Sequence, residues 1–122
     1  MIIKGTVLTV ADNSGARLVR VYRVGASTKC GYATIGDKVS GSVIEAMPKG
    51  KVKKGDKVRL VIVRVKRNFL RSDGSHIRFD DNAGVIIDDS YNPIGNRIFG
   101  PVAIELLGKK FGKIVSNAEY VI

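Results

Sequence analysis

Ten basic side chains crowd into Lys49–Arg71: Lys49, Lys51, Lys53, Lys54, Lys57, Arg59, Arg64, Lys66, Arg67 and Arg71, against a single acid, Asp56. The remaining 99 residues hold eleven basic and ten acidic groups, so nine of the ten net positive charges belong to this one stretch. Lysine is a point charge that neutralises phosphate, and arginine offers a planar fork that grips phosphate in bidentate fashion and stacks on bases. Each such contact releases condensed counterions from a polynucleotide. A merely solvated face would carry interspersed acids, and Asp56 does not balance ten cations. The chemistry pointed to is binding of a ribose–phosphate backbone.

Other chemistries find thinner support. Cys30 and His76 are the sole thiol and imidazole, and a nucleophilic dyad would need them in hydrogen-bond contact. Asp80-Asp81 and Asp88-Asp89 could hold Mg²⁺ for a nuclease, but aspartates beside turn formers more often cap backbone amides. Asp80 stands two residues from Arg78, on the same face of a strand, and is placed to pair with it. Gly50–Gly55 lacks the strand–loop–helix order and the terminal Lys-Ser/Thr of a phosphate loop. No zinc-ligand spacing is present. No cofactor or metal is expected, and no catalysis.

The elements that must carry these cations read as β through the first two thirds. Ile2–Val10 and Leu18–Val24 are strands separated by the turn formers Asp12-Asn13-Ser14-Gly15, and Arg20 and Arg23 reach solvent or phosphate. A Gly/Ser/Thr-rich loop fills Gly25–Gly36. Lys38–Met47 is a third strand, weakened at Gly41, where a bend or bulge is expected. The basic loop opens at Pro48 and Gly50 and closes at Gly55-Asp56. Lys57–Lys66 has apolar residues on both faces, which implies cover on both sides for part of its length. Ser72-Asp73-Gly74-Ser75 signals a hairpin, with short strands at Ile77–Phe79 and Gly84–Ile87. Gly100-Pro101 is expected to start a helix whose apolar face is Ile98, Val102 and Leu106, with Gly108 as its stop. Phe111, Ile114, Val115 and Ala118 form a second helical stripe opposite Lys109, Lys110 and Lys113. Residues 98–118 are thus the helical C-terminal part of a single domain, 1–122. Many short strands with glycine-rich turns indicate a small β-barrel.

The 122 residues, 44% of them hydrophobic, are sufficient for one self-standing core. A single cysteine excludes an internal disulfide and fits a reducing compartment. No apolar run approaches the ~20 residues of a membrane span, and the cations alternate with Val-rich strand sequence rather than lining an amphipathic helix, so no membrane partner is expected. The aromatic set is four Tyr and four Phe with no Trp. Phe69, beside the basic strand, could serve as a stacking platform, whereas Phe79 reads as core. So thin a set favours folded RNA recognised by shape and backbone. Two alternatives stay open on the residues alone: a free-standing OB-type translation factor or RNA chaperone for single strands, and a metal-dependent nuclease.

Five segments are distinctive together: Val10-Ala-Asp-Asn-Ser-Gly-Ala-Arg17, Glu45-Ala-Met-Pro-Lys-Gly-Lys-Val-Lys-Lys-Gly-Asp56, Val61-Ile-Val-Arg-Val-Lys66, Asp73-Gly-Ser-His-Ile-Arg-Phe-Asp-Asp-Asn-Ala83 and Pro93-Ile-Gly-Asn-Arg-Ile-Phe-Gly-Pro101. With Lys113-Ile-Val-Ser116 they run the length of the chain. The sequence resembles the universal ribosomal large-subunit protein fourteen family in its bacterial form. The resemblance implies a mainly β fold: a five-stranded antiparallel β-barrel, OB-like, with a projecting β-ribbon and two short C-terminal helices.

It further implies a structural constituent of the large subunit that binds large-subunit rRNA, touches neighbouring large-subunit proteins and contributes to a bridge with small-subunit rRNA. Family members also receive a ribosome-silencing factor. On this chain Lys49, Lys51, Lys53, Lys54, Arg64, Lys66, Arg67, Arg71 and Arg78 match basic positions near RNA, and Asn96, Arg97 and Lys113 match the surface facing the small subunit and that factor. Two segments depart from the pattern. Ser27-Thr-Lys-Cys-Gly-Tyr32 has one basic residue where bacterial relatives often have two or three, and Asn117-Ala-Glu-Tyr120 lacks the family's usual proline. The implied location is the ribosome of a bacterial cytosol or of an organelle that encodes its own ribosomal proteins.

Overall fold

The computed structural model describes residues 2–24, 32–108 and 111–122. The expectations attached to Cys30, to most of the Ser27–Tyr32 loop, and to Lys109 and Lys110 lie outside those residues.

Five strands close the barrel: β1 (Val7–Val10), β2 (Ala16–Val24), β3 (Lys38–Ala46), β4 (Lys57–Arg64) and, after the short β5 (Phe69–Leu70) and β6 (His76–Ile77), β7 (Ala83–Ile87). The order around the barrel is β1-β2-β3-β4-β7. Four seams are antiparallel. The closing seam is not: β1 runs parallel to β7, pairing Thr9 with Ala83 and Val10 with Gly84, which corrects the expectation of a purely antiparallel barrel. Alternation shapes β3, where Val39, Gly41 and Val43 point inward. β4 behaves as its two apolar faces demand. From Leu60 onward every residue is buried, because C-terminal residues such as Ala103, whose amide lies 3.4 Å from the Val63 carbonyl, cover the outer side.

Gly41 is explained by proximity. A Cβ there would overlap Val19 Cγ1 and come within 2.8 Å of the Arg20 carbonyl oxygen. The bulge lies instead on the facing strand, where the register slips between Val21 and Arg23.

The Ser72–Ser75 hairpin forms as expected. Gly74 takes a φ of 90°, and the Asp73 carboxylate accepts hydrogen bonds from the Ser75 hydroxyl and amide, which hold its pKa below the ordinary value. β5 and β6 make the ribbon on which Phe69 faces Ile77.

The C-terminal third differs from its sequence reading. Ile98–Val102 is not the start of a helix but a strand, β8, which pairs in parallel with β9 (Ala118–Val121). The helices are α1 (Glu105–Gly108) and α2 (Gly112–Asn117). Together they supply the crossover that two parallel strands require. A spacing of four at Ile98 and Val102 satisfies a strand face as well as a helix face, so the periodicity could not choose. Pro101 is tolerated because the register slips between Ile98 and Pro101. Gly112 is the first residue of α2, and Ala118, expected in the second helical stripe, instead begins β9.

Gly41→Ala should destabilise the barrel by about 1–3 kcal/mol through overpacking against β2. Gly84→Ala, whose Cβ would approach the Leu60 side chain no closer than 3.2 Å, should be milder. Urea unfolding midpoints of the two variants check the ranking.

Candidate nucleic-acid interface

The basic loop is held at both ends and plugged in the middle. At its start the Met47 amide donates to the Gly15 carbonyl at 2.7 Å, and the Lys51 amide to the Ser14 carbonyl at 2.8 Å. At its end the Gly55 amide donates to the Val43 carbonyl at 2.8 Å and the Val43 amide to the Asp56 carbonyl at 2.9 Å. Asp56 Oδ2 in turn accepts the Lys53 amide at 2.9 Å. Val52, the one apolar residue among these lysines, is 5% exposed. With Val52 turned inward, Lys49, Lys51, Lys53 and Lys54 are left exposed. Of these, Lys51 Nζ also lies 3.4 Å from the Ile94 carbonyl oxygen. The sole acid of the segment, Asp56, therefore also holds the shape of the loop.

What the loop rests on is the Asp12–Gly15 turn, whose role the sequence signalled only as turn chemistry. Asp12 is 5% exposed. Its Oδ1 accepts the Ser14 hydroxyl at 2.6 Å and the Ser14 amide at 3.2 Å, and its Oδ2 accepts the Ile86 amide at 3.0 Å. Gly15 has a φ of 107°, and a side chain there would overlap Gly50 Cα. On the opposite side Asn13 Oδ1 accepts the Asn96 amide at 3.1 Å, and Asn13 Nδ2 donates to Asn96 Oδ1 at 2.7 Å. One turn thus positions both the lysine loop and Asn96-Arg97.

The remaining sequence-predicted cations separate into two groups. Lys66, Arg67 and Arg78 are exposed around β5 and β6. Arg64 is different. It is 8% exposed, with Nε 2.9 Å from Asp81 Oδ1 and Nη1 3.0 Å from the carbonyl oxygens of both Phe99 and Pro101. Those bonds tie β4 to β8, so the guanidinium is a structural clamp; the register slip between Ile62 and Arg64 re-aims it there. Arg71 is also engaged, its Nε 2.8 Å from Glu105 Oε1 and its Nη2 against the main-chain oxygen of Ile122.

Asn96 and Arg97 are exposed, and Arg97 lies over the Phe99 ring at 5.4 Å and 3.4 Å from Glu119 Oε1. Lys113 is exposed on α2, which packs against β8 just beyond Arg97.

Three of the four carboxylates that could have held Mg²⁺ have other work. Asp81 meets Arg64, Asp88 Oδ1 accepts the Ser90 and Asn92 amides at 2.9 Å, and Asp89 lies 3.7 Å from Arg59. The anticipated Arg78–Asp80 pair is not among the ion pairs of the described residues. Phe79 is buried as expected, and Phe69 packs against the core rather than standing free as a stacking platform.

Burial pushes the Asp12 carboxyl above the ordinary aspartate value, and the Ser14 and Ile86 hydrogen bonds pull it back part of the way. A folded carboxyl that holds its proton more readily than the unfolded one favours folding at the acid end, and that contribution is lost as pH rises through its raised pKa. In Asp12→Asn one acceptor becomes a donor facing the Ile86 amide. The variant should lose about 1–3 kcal/mol, and its deficit relative to the native protein should shrink as pH rises above the ordinary carboxylate range. Denaturant titrations at a series of pH values check both points.

A closed five-stranded barrel, the β5–β6 ribbon and two short C-terminal helices agree with what the distinctive segments of the sequence led one to expect, whereas the parallel pairing of β8 with β9 does not. The family model described as "Ribosomal protein L14p/L23e" matches residues 1–122, the whole chain, and the protein belongs to that family.

Proposed function

We propose that this protein binds large-subunit rRNA through the Lys49–Lys54 loop together with Lys66, Arg67 and Arg78, and that Asn96, Arg97 and Lys113 form its face toward the small subunit and a ribosome-silencing factor. Family membership makes it a structural protein of the large ribosomal subunit, in a family that is not enzymatic. The observation that carries the rRNA reading is the lysine loop. Four ammonium groups stand exposed on backbone that is hydrogen-bonded at both ends and anchored by Val52. Like charges held in that register lose little conformational entropy on meeting phosphates, and their mutual repulsion is relieved by the polyanion. Arg64 and Arg71 take no part in this proposal beyond holding the fold, since their guanidinium groups already face carboxylates and carbonyl oxygens.

The second face rests on a shared support. Asn96 and Arg97 are exposed residues positioned by Asn13, in a turn that also fixes the lysine loop. Contact on one side is therefore registered with contact on the other. A free-standing single-strand binder would need an exposed ring where Phe69 is packed, and the geometry there does not favour it.

Charge reversal at Lys51, Lys53 and Lys54 should weaken binding to large-subunit rRNA and flatten its salt dependence, by about 0.7–0.9 in log–log slope for each phosphate left without its cation. Filter binding across a salt series reads this, and an unchanged slope would remove the loop from the interface. Arg97→Glu with Lys113→Glu should leave incorporation into large subunits intact while reducing capture of the silencing factor and reassociation with small subunits; sedimentation of variant particles distinguishes these effects.

A further inference from the structure

We infer that the outer face of the barrel carries a second RNA contact, a cleft that takes one unpaired nucleotide with its base against Tyr22 and its phosphates on Arg23, Lys57 and Arg59. The inference rests on the rRNA-binding reading above but uses none of its residues.

The cleft is built by the register slip on β2. From Val19 to Tyr22 buried and exposed residues alternate, and Arg23 is then exposed directly after Tyr22. Against β3 the pairing steps from Val21–Gly41 to Arg23–Ser40, so Tyr22 is the extra residue of a bulge. A bulge re-aims side chains, and here it sets a phenol and a guanidinium side by side. From Arg23 the pairing continues across the sheet through Ser40 to Arg59 and on to Ile87. Two strand positions before Arg59, on the same face by period two, stands Lys57.

Between these residues lies a cavity of about 380 Å³, within the roughly 300–1,000 Å³ span of small-ligand clefts. Its apolar lining is Val58, Ile86, Ile87 and Ile94, beside Tyr22, which is 40% exposed. The rim carries Arg23, Lys57 and Arg59 against one acid, Asp89, which leaves two positive charges in excess. Neither Arg23 nor Lys57 makes an ion pair among the described residues. Apolar, aromatic and cationic side chains around one cavity together match one nucleotide: a flat ring that stacks and an adjoining phosphate. A duplex would offer the phosphate without the exposed ring, so the occupant is a base extruded from pairing.

The test compares native protein with Tyr22→Leu, Tyr22→Phe, Arg23→Gln/Lys57→Gln and the Lys51/Lys53/Lys54 reversal, each bound to deproteinised large-subunit rRNA over a salt series. Tyr22→Leu should lower affinity by about 5- to 150-fold, the equivalent of removing a stack of ~1–3 kcal/mol, with the salt slope unchanged. Tyr22→Phe should restore native affinity. The double glutamine variant should lower the slope by about 0.7–0.9 for each phosphate it no longer neutralises. Native affinity and slope in the Tyr22→Leu and double glutamine variants, alongside weakened binding in the lysine-loop variant, would overturn the cleft and leave the loop standing. Native behaviour in all of them would overturn the rRNA reading itself. Equal weakening in Tyr22→Leu and Tyr22→Phe would also overturn the cleft, because a stack needs only the ring. Circular dichroism and urea midpoints at native values confirm that each variant is folded.

Discussion

The arrangement of this protein depends on one buried carboxylate. Asp12 cannot be charged in the interior without partners, and it finds them in Ser14 beside it and in the Ile86 amide across the parallel seam of the barrel. That seam has the fewest paired positions in the barrel, two. β1 meets β7 there without a hairpin to bring them together, so a side chain that bonds across it does what a turn does elsewhere. Once Asp12 is fixed, the following residues have little freedom. Asn13 faces Asn96, Ser14 and Gly15 present carbonyl oxygens to the lysine loop, and Gly15 and Gly50 pass at a distance that no side chain allows.

Arg64 performs the complementary task for the C-terminal segment. A guanidinium buried between Asp81 and two carbonyl oxygens has most of its donors satisfied, which is the condition for a buried cation to be tolerated. It joins β4 to the strand that leads into the crossover, and Gly100 is needed beside it because a Cβ would lie 2.5 Å from Arg64 Nη1. Among the described residues, Arg64 and Arg71 face acceptors and organise the fold, whereas Lys49, Lys53 and Lys54 stand exposed on a loop hydrogen-bonded at both ends.

Much of the fold is legible in the sequence because its signals are local. The apolar run of β4, the Lys38–Met47 strand and the Ser72–Ser75 hairpin depend on alternation and turn chemistry within a few residues, and each stands within one or two residues of its expected place. The segment from Ile98 to Val102 reads as helix for the opposite reason. Its partner is β9, about twenty residues onward, and only that pairing selects strand over helix for a spacing both can accept. The candidate interface shows the same division. Lys49, Lys51, Lys53 and Lys54 are marked by charge density alone, while Arg64 bears the same charge in the same stretch and is buried.

By itself the sequence determined where positive charge is concentrated, where the chain must turn and which stretches need cover on both faces, since these follow from residue types and spacings a few positions apart. The tertiary structure alone decided which cations meet solvent, that Asp12 supports two surfaces at once, and that a bulge sets Tyr22 beside Arg23. Each of these depends on contacts between residues distant in the chain, or on a register that slips by one, and a one-residue slip redirects a side chain without any change in the local pattern that encodes the strand.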